Sequence, residues 1–225
     1  MDNNMQSAKR IFLIHATQVS IEPINSVFEQ QWPEVLRLNL WDDSLSIDIA
    51  ASKELTPILA KRIQALAAHA FEADADAVLF TCSAFTDAMT ACQKQFAKPV
   101  LKPNEAMVRE AVLKGSRIAA LTTFEPAVKP IIDDFEAESR LAGKSVEVVP
   151  FLCQGAMDAL RAGDVARHNE LIAQTAQRLE GFDVVCFAQF SMTSAAKATR
   201  EVFDGEVLTT PESAVALLKK LLADR

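Results

Sequence analysis

The chain repeats parts of its pattern at one constant spacing. Short segments of the first half match segments 107 residues further along, and the spacing is the same at every match. A spacing that holds over several separate matches indicates an internal duplication, and hence two similar domains. The matched pairs are Arg10-Ile11 with Arg117-Ile118, Asp76-Ala77-Val78 with Asp183-Val184-Val185, Val100-Leu101 with Val207-Leu208, and Glu105 with Glu212.

Each half alternates short apolar runs with amphipathic helical patterns. Short apolar runs bounded by turn residues predict buried strands of parallel sheets, and the helices between them are predicted to cover both faces. Residues 42–46 are predicted as a polar loop, followed by one long helix from 53 to 71. The predicted strands are 10–15, 34–40, 98–102, 117–121, 146–151, 183–188 and 206–209, together with the run that begins at Asp76 and ends at Cys82.

These patterns predict an α/β fold with two similar Rossmann-like αβα lobes. Each lobe has a parallel four-stranded sheet, and we expect a pseudo-twofold relation between the lobes, with the active site between them. The first lobe is predicted to comprise residues 1–103, completed by the C-terminal helix 211–225. The second lobe is predicted to comprise residues 104–210.

Composition restricts the kinds of partner. The net charge is −7 and no basic patch stands out, which argues against nucleic acid and against an anionic membrane surface. We expect a cytoplasmic protein, because no signal peptide and no membrane-spanning apolar stretch is visible. The four cysteines and three histidines lack metal-ligand spacing, and six glycines leave little material for a phosphate-binding loop. We therefore expect no metal.

Cys82 lies where the chain leaves a predicted buried strand. Ligands of open α/β sheets bind beyond the carboxyl ends of the strands. The amides of Ser83 and Ala84 begin the following helix, and such an end attracts anions and lowers the pKa of a thiol. A thiolate there can exchange a carbon-bound proton. A small buried hydrophobe is the alternative for a free cysteine, and we adopt that interpretation for Cys92, Cys153 and Cys186.

The segment Thr81-Cys82-Ser83, its repeat half a chain later, and Thr122-Thr123 after the fifth strand resemble the aspartate/glutamate racemase superfamily. That superfamily includes hydantoin racemases, maleate isomerases and arylmalonate decarboxylases, and the resemblance covers almost the whole chain. Its members commonly use two opposed cysteines to remove and return a proton, without a cofactor. Cys82 matches the first cysteine, whereas Gln189 stands where the second is expected. The chain thus resembles an atypical subgroup with one cysteine.

The resemblance implies a cofactor-independent racemase or isomerase. It would transfer a proton at a carbon next to a carboxyl or carbonyl group of a small acid, amino acid or hydantoin, with Cys82 as acid and base. His15, after the first strand, is a candidate for the second proton donor, and a structural histidine is the alternative. Decarboxylation of a malonate-like acid and non-catalytic carboxylate binding stay open. The oligomeric state also stays open, and the resemblance is compatible with a homodimer.

Polar side chains at the strand ends are the candidates for binding a small carboxylate or amide-bearing substrate. Gln189 cannot exchange protons, but its amide can donate to a carboxylate or enediolate oxygen. Helix capping is the alternative for Thr122, Thr123 and Asn104. The other two histidines, His69 and His168, are expected to face solvent. The predicted substrate contacts are Thr17, Thr81, Ser83, Ala84, Asn104, Thr122, Thr123, Gln189, Phe190, Ser191 and Met192.

Overall fold

The computed structural model describes residues 8–223, which form two compact units. The first unit contains the described residues up to Lys102 together with those from Val215 onward, and the second unit is Pro103–Ala214. Residues 1–7 and 224–225, which the predicted first lobe includes, lie outside the described residues.

The first unit is built on a parallel sheet with the strand order β2-β1-β3-β4. Strand β3 is buried along its whole length, which explains its continuous apolar sequence. The strands are β1 (Arg10–His15), β2 (Leu36–Trp41), β3 (Ala77–Phe80) and β4 (Val100–Leu101). The helices are α1 (Ile21–Gln31), α2 (Ser44–Ser52), α3 (Pro57–Glu72) and α4 (Thr86–Gln95).

The second unit repeats this design with the strand order β6-β5-β7-β8, again all parallel. The last helix of the chain begins in this unit and ends in the first one. The strands are β5 (Arg117–Thr122), β6 (Glu147–Leu152), β7 (Val184–Phe187) and β8 (Glu206–Thr209). The helices are α5 (Glu105–Lys114), α6 (Val128–Ala142), α7 (Ala156–Arg161), α8 (Val165–Ala176), α9 (Ala196–Arg200) and α10 (Thr210–Ala223).

The two sheets confirm the predicted α/β class with two parallel four-stranded sheets. The equivalent strands β1 and β5 also begin with the same kind of hydrogen bond, from a backbone N–H to an aspartate carboxylate. The backbone N–H of Arg10 donates to the Asp76 carboxylate at 2.8 Å, and that of Arg117 donates to the Asp183 carboxylate at 2.9 Å. The matching segments in the sequence are therefore matching parts of one repeated scaffold. Within residues 8–223, no helix is both long enough and apolar enough to cross a membrane.

Helix α2 occupies much of the region that was predicted as a polar loop, so that prediction is wrong. Only Leu45 of this helix is buried, so the helix has no pronounced apolar face that the sequence could reveal. Arg62 on α3 holds the segment instead, by donating to the carboxylates of Asp42 at 2.6 Å and Asp48 at 2.5 Å. Long-range ion pairs of this kind leave no local sequence pattern.

The predicted long helix begins at Pro57 because Thr56 caps it. The Thr56 hydroxyl accepts a hydrogen bond from the Leu59 N–H at 3.3 Å, and Pro57 occupies the first turn. Proline suits a helix start, since the amide it lacks has no partner within the helix there.

Gly205 permits the close approach of β8 to β7. A Cβ at this position would lie 2.5 Å from the backbone oxygen of Asp183, which accepts a hydrogen bond from Glu206 N–H. We predict that Gly205→Ala lowers the free energy of unfolding by about 3 kcal/mol, because the backbone must shift to relieve the clash. Urea denaturation measures the change. The control is Gly143→Ala, which meets no atom within 4 Å but has a φ of +62°, and should cost about 1 kcal/mol. Equal effects of the two substitutions would contradict the prediction.

Candidate active site

Cys82 lies at the carboxyl edge of the first sheet, just beyond β3. It has extended backbone angles and precedes a 3-10 turn, Ser83–Phe85, which leads into α4. Its side chain packs against the core of the first unit and stays partly exposed. Of the four cysteines, all free, the other three (Cys92, Cys153 and Cys186) are fully buried.

The Cys82 thiol borders a small cavity of about 10 Å³, enough for about one water molecule. Besides Cys82, His15 is the one titratable residue among those that line it, and the others are apolar. The lining residues are Ile14, His15, Ala16, Leu45, Ile63, Phe80, Cys82, Phe85 and Met89.

Burial raises the pKa of the Cys82 thiol above its ordinary value of 9.0, and the nearby N–H of Ala84 offsets only part of this rise. The expectation of a lowered pKa is therefore wrong. The physical reason is that burial of the sulfur outweighs the one nearby amide, and the α-helix begins only at Thr86, after a 3-10 turn. The neutral thiol is the resting form near pH 7, and its conjugate thiolate is correspondingly a stronger base.

His15, at the carboxyl end of β1, is fully buried and uses both ring nitrogens. Its Nδ1 lies 2.9 Å from the Thr81 hydroxyl, and its Nε2 lies 2.9 Å from Oδ1 of Asn39. The Thr81 hydroxyl also lies 2.9 Å from the Ser20 hydroxyl. Thr81, the residue before Cys82, is thus held from two sides.

The position of the His15 proton follows from a chain of fixed hydrogen bonds. The Asn25 amide group donates to the backbone carbonyl of Ile21 at 2.8 Å and to Oδ1 of Asn39 at 3.0 Å. Oδ1 of Asn39 is therefore an acceptor, so Nε2 of His15 carries the proton that is donated to it. Burial lowers the pKa of His15, which keeps the ring neutral, and Nδ1 accepts from Thr81. This geometry favours a holding role for His15 over proton donation to a substrate.

Three further predicted contacts lie at the same edge of the first sheet. Thr17 is partly exposed, and its carbonyl lies 3.0 Å from the Ser20 hydroxyl, whose single proton is shared between this carbonyl and the Thr81 oxygen. Ser83 is partly exposed, and its carbonyl accepts from the Thr86 hydroxyl at 2.8 Å. Ala84 is exposed. Within residues 8–223, the hydroxyls of Thr17 and Ser83 have no hydrogen-bond partner, so they can contact a ligand.

Gln189 follows β7 in the second unit, at the position equivalent to Cys82. Its side-chain oxygen accepts from the backbone N–H of Thr123 at 2.6 Å and from the Thr123 hydroxyl at 3.0 Å. The amide orientation is fixed, because a backbone N–H can only face the oxygen. Among residues 8–223, the Nε2 group of Gln189 has no hydrogen-bond partner, and the residue is partly exposed. It can therefore donate to a ligand.

Two buried hydroxyls flank this position. The hydroxyl oxygens of Thr122, at the end of β5, and Thr210, directly after β8, have no hydrogen-bond partner among the described residues. Both strands neighbour β7 in the sheet. The carboxyl edge of the second sheet thus carries several neutral donors.

The remaining predicted contacts are buried. Phe190, Ser191 and Met192 lie in the 3-10 turn that follows Gln189, and Met192 packs in the core of the second unit. Asn104 precedes α5 without capping it, and its amide lies 3.5 Å from the Asp134 carboxylate.

The sequence interpretation missed Ser20, Asn25 and Asn39. Asn39 carried a signal, because it is a polar residue between two leucines in a predicted strand. The expectation that His168 faces solvent is wrong, because it is fully buried on α8 and hydrogen-bonded to the Ala156 carbonyl at 2.8 Å. Ile172 and Ala176, four and eight residues further on, share its buried face and could have indicated this. Within residues 8–223, no group of three or more His, Cys, Asp or Glu side chains is placed to hold a metal ion.

The exposure of Cys82 leads to a labelling prediction. Iodoacetamide reacts with thiolates, so it should label the folded protein at Cys82 and spare the three fully buried cysteines. The labelling rate should rise with pH and reach half its maximum above pH 9.0, because burial raises the pKa of Cys82. Peptide mass spectrometry after timed labelling gives the rate at each cysteine. Folded Cys82→Ser should take no label, and a midpoint below pH 9.0 would contradict the raised pKa.

Comparison with known proteins identifies the family of the chain. The family model described as Asp/Glu/hydantoin racemase matches residues 14–220. No curated protein sequence matches at a significant level. A glutamate racemase from Bacillus anthracis is 15% identical, with a TM-score of 0.67 over 96% of this chain and 82% of that one.

Two other racemase structures match over similar lengths. The allantoin racemase from Klebsiella pneumoniae is 16% identical, with a TM-score of 0.65 over 96% of this chain and 88% of that one. The aspartate racemase from Picrophilus torridus is 14% identical, with a TM-score of 0.67 over 95% of this chain and 94% of that one. These structures share the fold, and the family match covers nearly all of the sequence. The chain belongs to the Asp/Glu/hydantoin racemase family.

Proposed function

We propose that this protein is a cofactor-independent racemase or isomerase that moves a proton at a carbon next to a carboxyl or carbonyl group. The substrate class is a small acid, amino acid or hydantoin. The observation that carries the proposal is the placement of Cys82, the one partly exposed thiol among the four, at the carboxyl edge of β3. Membership of a racemase family supports the reaction class.

Cys82 acts as the acid and base in this proposal. The Cys82 thiol first loses its proton to solvent. The thiolate then takes the proton from the substrate carbon, the C–H electron pair moves toward the adjacent carbonyl or carboxyl group, and an enediolate or enolate forms. The S–H bond then returns the proton to carbon as the oxygen charge collapses. The apolar surroundings of the sulfur suit this step, because a thiolate of raised pKa is a stronger base toward carbon.

Gln189 supplies a hydrogen bond rather than a proton. Its Nε2 group donates to the substrate carboxylate or to the enediolate oxygen, where negative charge develops. Thr123 holds the other side of the amide, so the donor needs little reorganisation. The buried hydroxyls of Thr122 and Thr210, which have no hydrogen-bond partner among the described residues, are proposed as further donors to a carboxylate. Thr17 and Ser83 are proposed contacts beside Cys82.

Because residue 189 is a glutamine and not a cysteine, proton exchange and inversion must be measured separately. A single proton-transfer group exchanges a carbon-bound proton on one face, whereas inversion requires a donor on the other face as well. Cys186 does not provide it, since this residue is fully buried inside β7 and burial strongly raises its pKa. No finding favours decarboxylation, and the exchange experiment below separates these outcomes.

We predict that the protein exchanges the α-hydrogen of at least one member of a panel of amino acids, hydantoins and malonates in D₂O. Cys82→Ser should abolish this wash-in while the circular dichroism spectrum stays unchanged, because the hydroxyl is far too weak an acid and base. Mass spectrometry measures deuterium, and chiral chromatography shows whether inversion accompanies it. The control is Cys92→Ala, a buried thiol of the same unit, which should keep wild-type exchange. Exchange that survives in Cys82→Ser would overturn the assignment.

We also predict that Gln189→Glu lowers kcat/KM for the exchanged substrate by about 10²- to 10³-fold. A glutamate carboxylate still accepts the two hydrogen bonds from Thr123, so the fold should be kept, while the donor is lost and a negative charge is added. Steady-state exchange rates give the ratio. Gln177→Glu adds the same charge at an exposed position of the second unit and should leave kcat/KM unchanged. Similar losses in both variants would argue against a direct contact.

A further inference from the structure

The first unit contains a polar network that runs from the exposed Asn39 and the partly buried Asn25 to buried side chains next to the reactive cysteine. We call it the His15 network, and its hydrogen bonds join Asn25 to Asn39, Asn39 to His15, His15 to Thr81, and Thr81 to Ser20. His15 is fully buried, and Ser20 and Thr81 are nearly so. Thr81 is the last member of the network along the chain, and Cys82 is the next residue in the sequence.

The internal repeat shows that the fold does not require this network. The second unit has the same strand order and the same strand-start hydrogen bonds, but most of the equivalent positions carry apolar residues. The spacing of 107 gives four of the equivalents, and the strand register gives that of Asn39. They are Thr122 for His15, Ala127 for Ser20, Ile132 for Asn25, Pro150 for Asn39 and Ala188 for Thr81.

Burying hydrogen-bonding groups brings little net stability, because each bond formed replaces bonds to water. An apolar replacement of similar shape can be neutral or stabilising. The second unit uses that simpler solution and has no thiol at the strand end. The network and Cys82 thus occur together in one repeat and are both missing from the other, which indicates that the network serves Cys82.

We propose that the His15 network positions Cys82, with His15 acting through Thr81 as a positioning residue. This inference rests on the proposed function. The Thr81 backbone N–H donates to the Ile14 carbonyl at 3.1 Å, while its hydroxyl is held by His15 and Ser20. Three fixed contacts leave the backbone at residue 81 one conformation. That conformation sets the direction in which the next side chain, the Cys82 thiol, leaves the strand.

The test compares two substitutions of Thr81. Thr81→Val keeps the shape but removes the hydroxyl, and should lower kcat for deuterium exchange by about 10- to 100-fold with KM nearly unchanged. Thr81→Ser keeps the hydroxyl and should restore kcat to near the wild-type value. Thr199→Val is the control, because Thr199 is also fully buried but its hydroxyl has no partner among the described residues, so exchange should stay at the wild-type rate.

Thiol labelling supplies a second readout that needs no substrate. In Thr81→Val, a loosened Cys82 should gain solvent, and its labelling by iodoacetamide at pH 8 should rise about tenfold, equivalent to one unit of pKa. Cys92, a fully buried thiol of the same unit, should stay unlabelled, whereas general unfolding would expose both. Ser20→Ala, which introduces the residue found at the equivalent position of the second unit, should change labelling in the same direction.

The outcomes separate this inference from the proposed function. Wild-type labelling of Cys82 in both Thr81→Val and Ser20→Ala would overturn the positioning role, whatever Cys82→Ser does to turnover. Parallel labelling of Cys82 and Cys92 would also overturn it, since the network would then only stabilise the unit. Altered Cys82 labelling that Thr81→Ser restores would support the positioning role, even if exchange survived in Cys82→Ser and the proposed reaction failed.

Discussion

The pairing register between the two central strands of each sheet determines where the chemistry can occur. In the first unit β1 pairs with β3 so that Ile14 lies opposite Phe80, and the next backbone hydrogen bond joins Thr81 to Ile14. That register places His15 and Thr81 side by side at the carboxyl edge. A shift by one residue would turn each of Thr81 and Cys82 to the other face of the sheet, because side chains alternate along a strand.

The same register serves a different purpose in the second unit. Leu121 lies opposite Phe187, and the strand ends that follow place Thr123 next to Gln189. The Thr123 hydroxyl donates the second hydrogen bond to the Gln189 side-chain oxygen. The equivalent residue in the first unit is Ala16, which lines the small cavity beside the Cys82 thiol. Each repeat thus has a neighbour suited to its own functional group.

Much of the fold could be predicted from local patterns. Short apolar runs between polar turns indicated the parallel strands, and the spacing of 107 indicated two copies of one sheet. Helix α2 was missed because Arg62, from another helix, holds it by ion pairs rather than by an apolar face of its own. His168 was placed in solvent because its polar type outweighed its spacing from Ile172 and Ala176.

By itself the sequence determined the fold class and the duplication, because strands, turns and repeats are local or periodic features. It also determined that Cys82 and Gln189 stand at equivalent positions just beyond β3 and β7. Only the tertiary structure decided that Cys82 has a raised pKa, that His15 is neutral, and that Gln189 presents its NH₂ group. These properties depend on burial and on hydrogen bonds between residues 66 positions apart in the chain, as for His15 with Thr81 and Thr123 with Gln189. No local pattern encodes contacts of that separation, since it is the packing of strands into a sheet that brings the partners together.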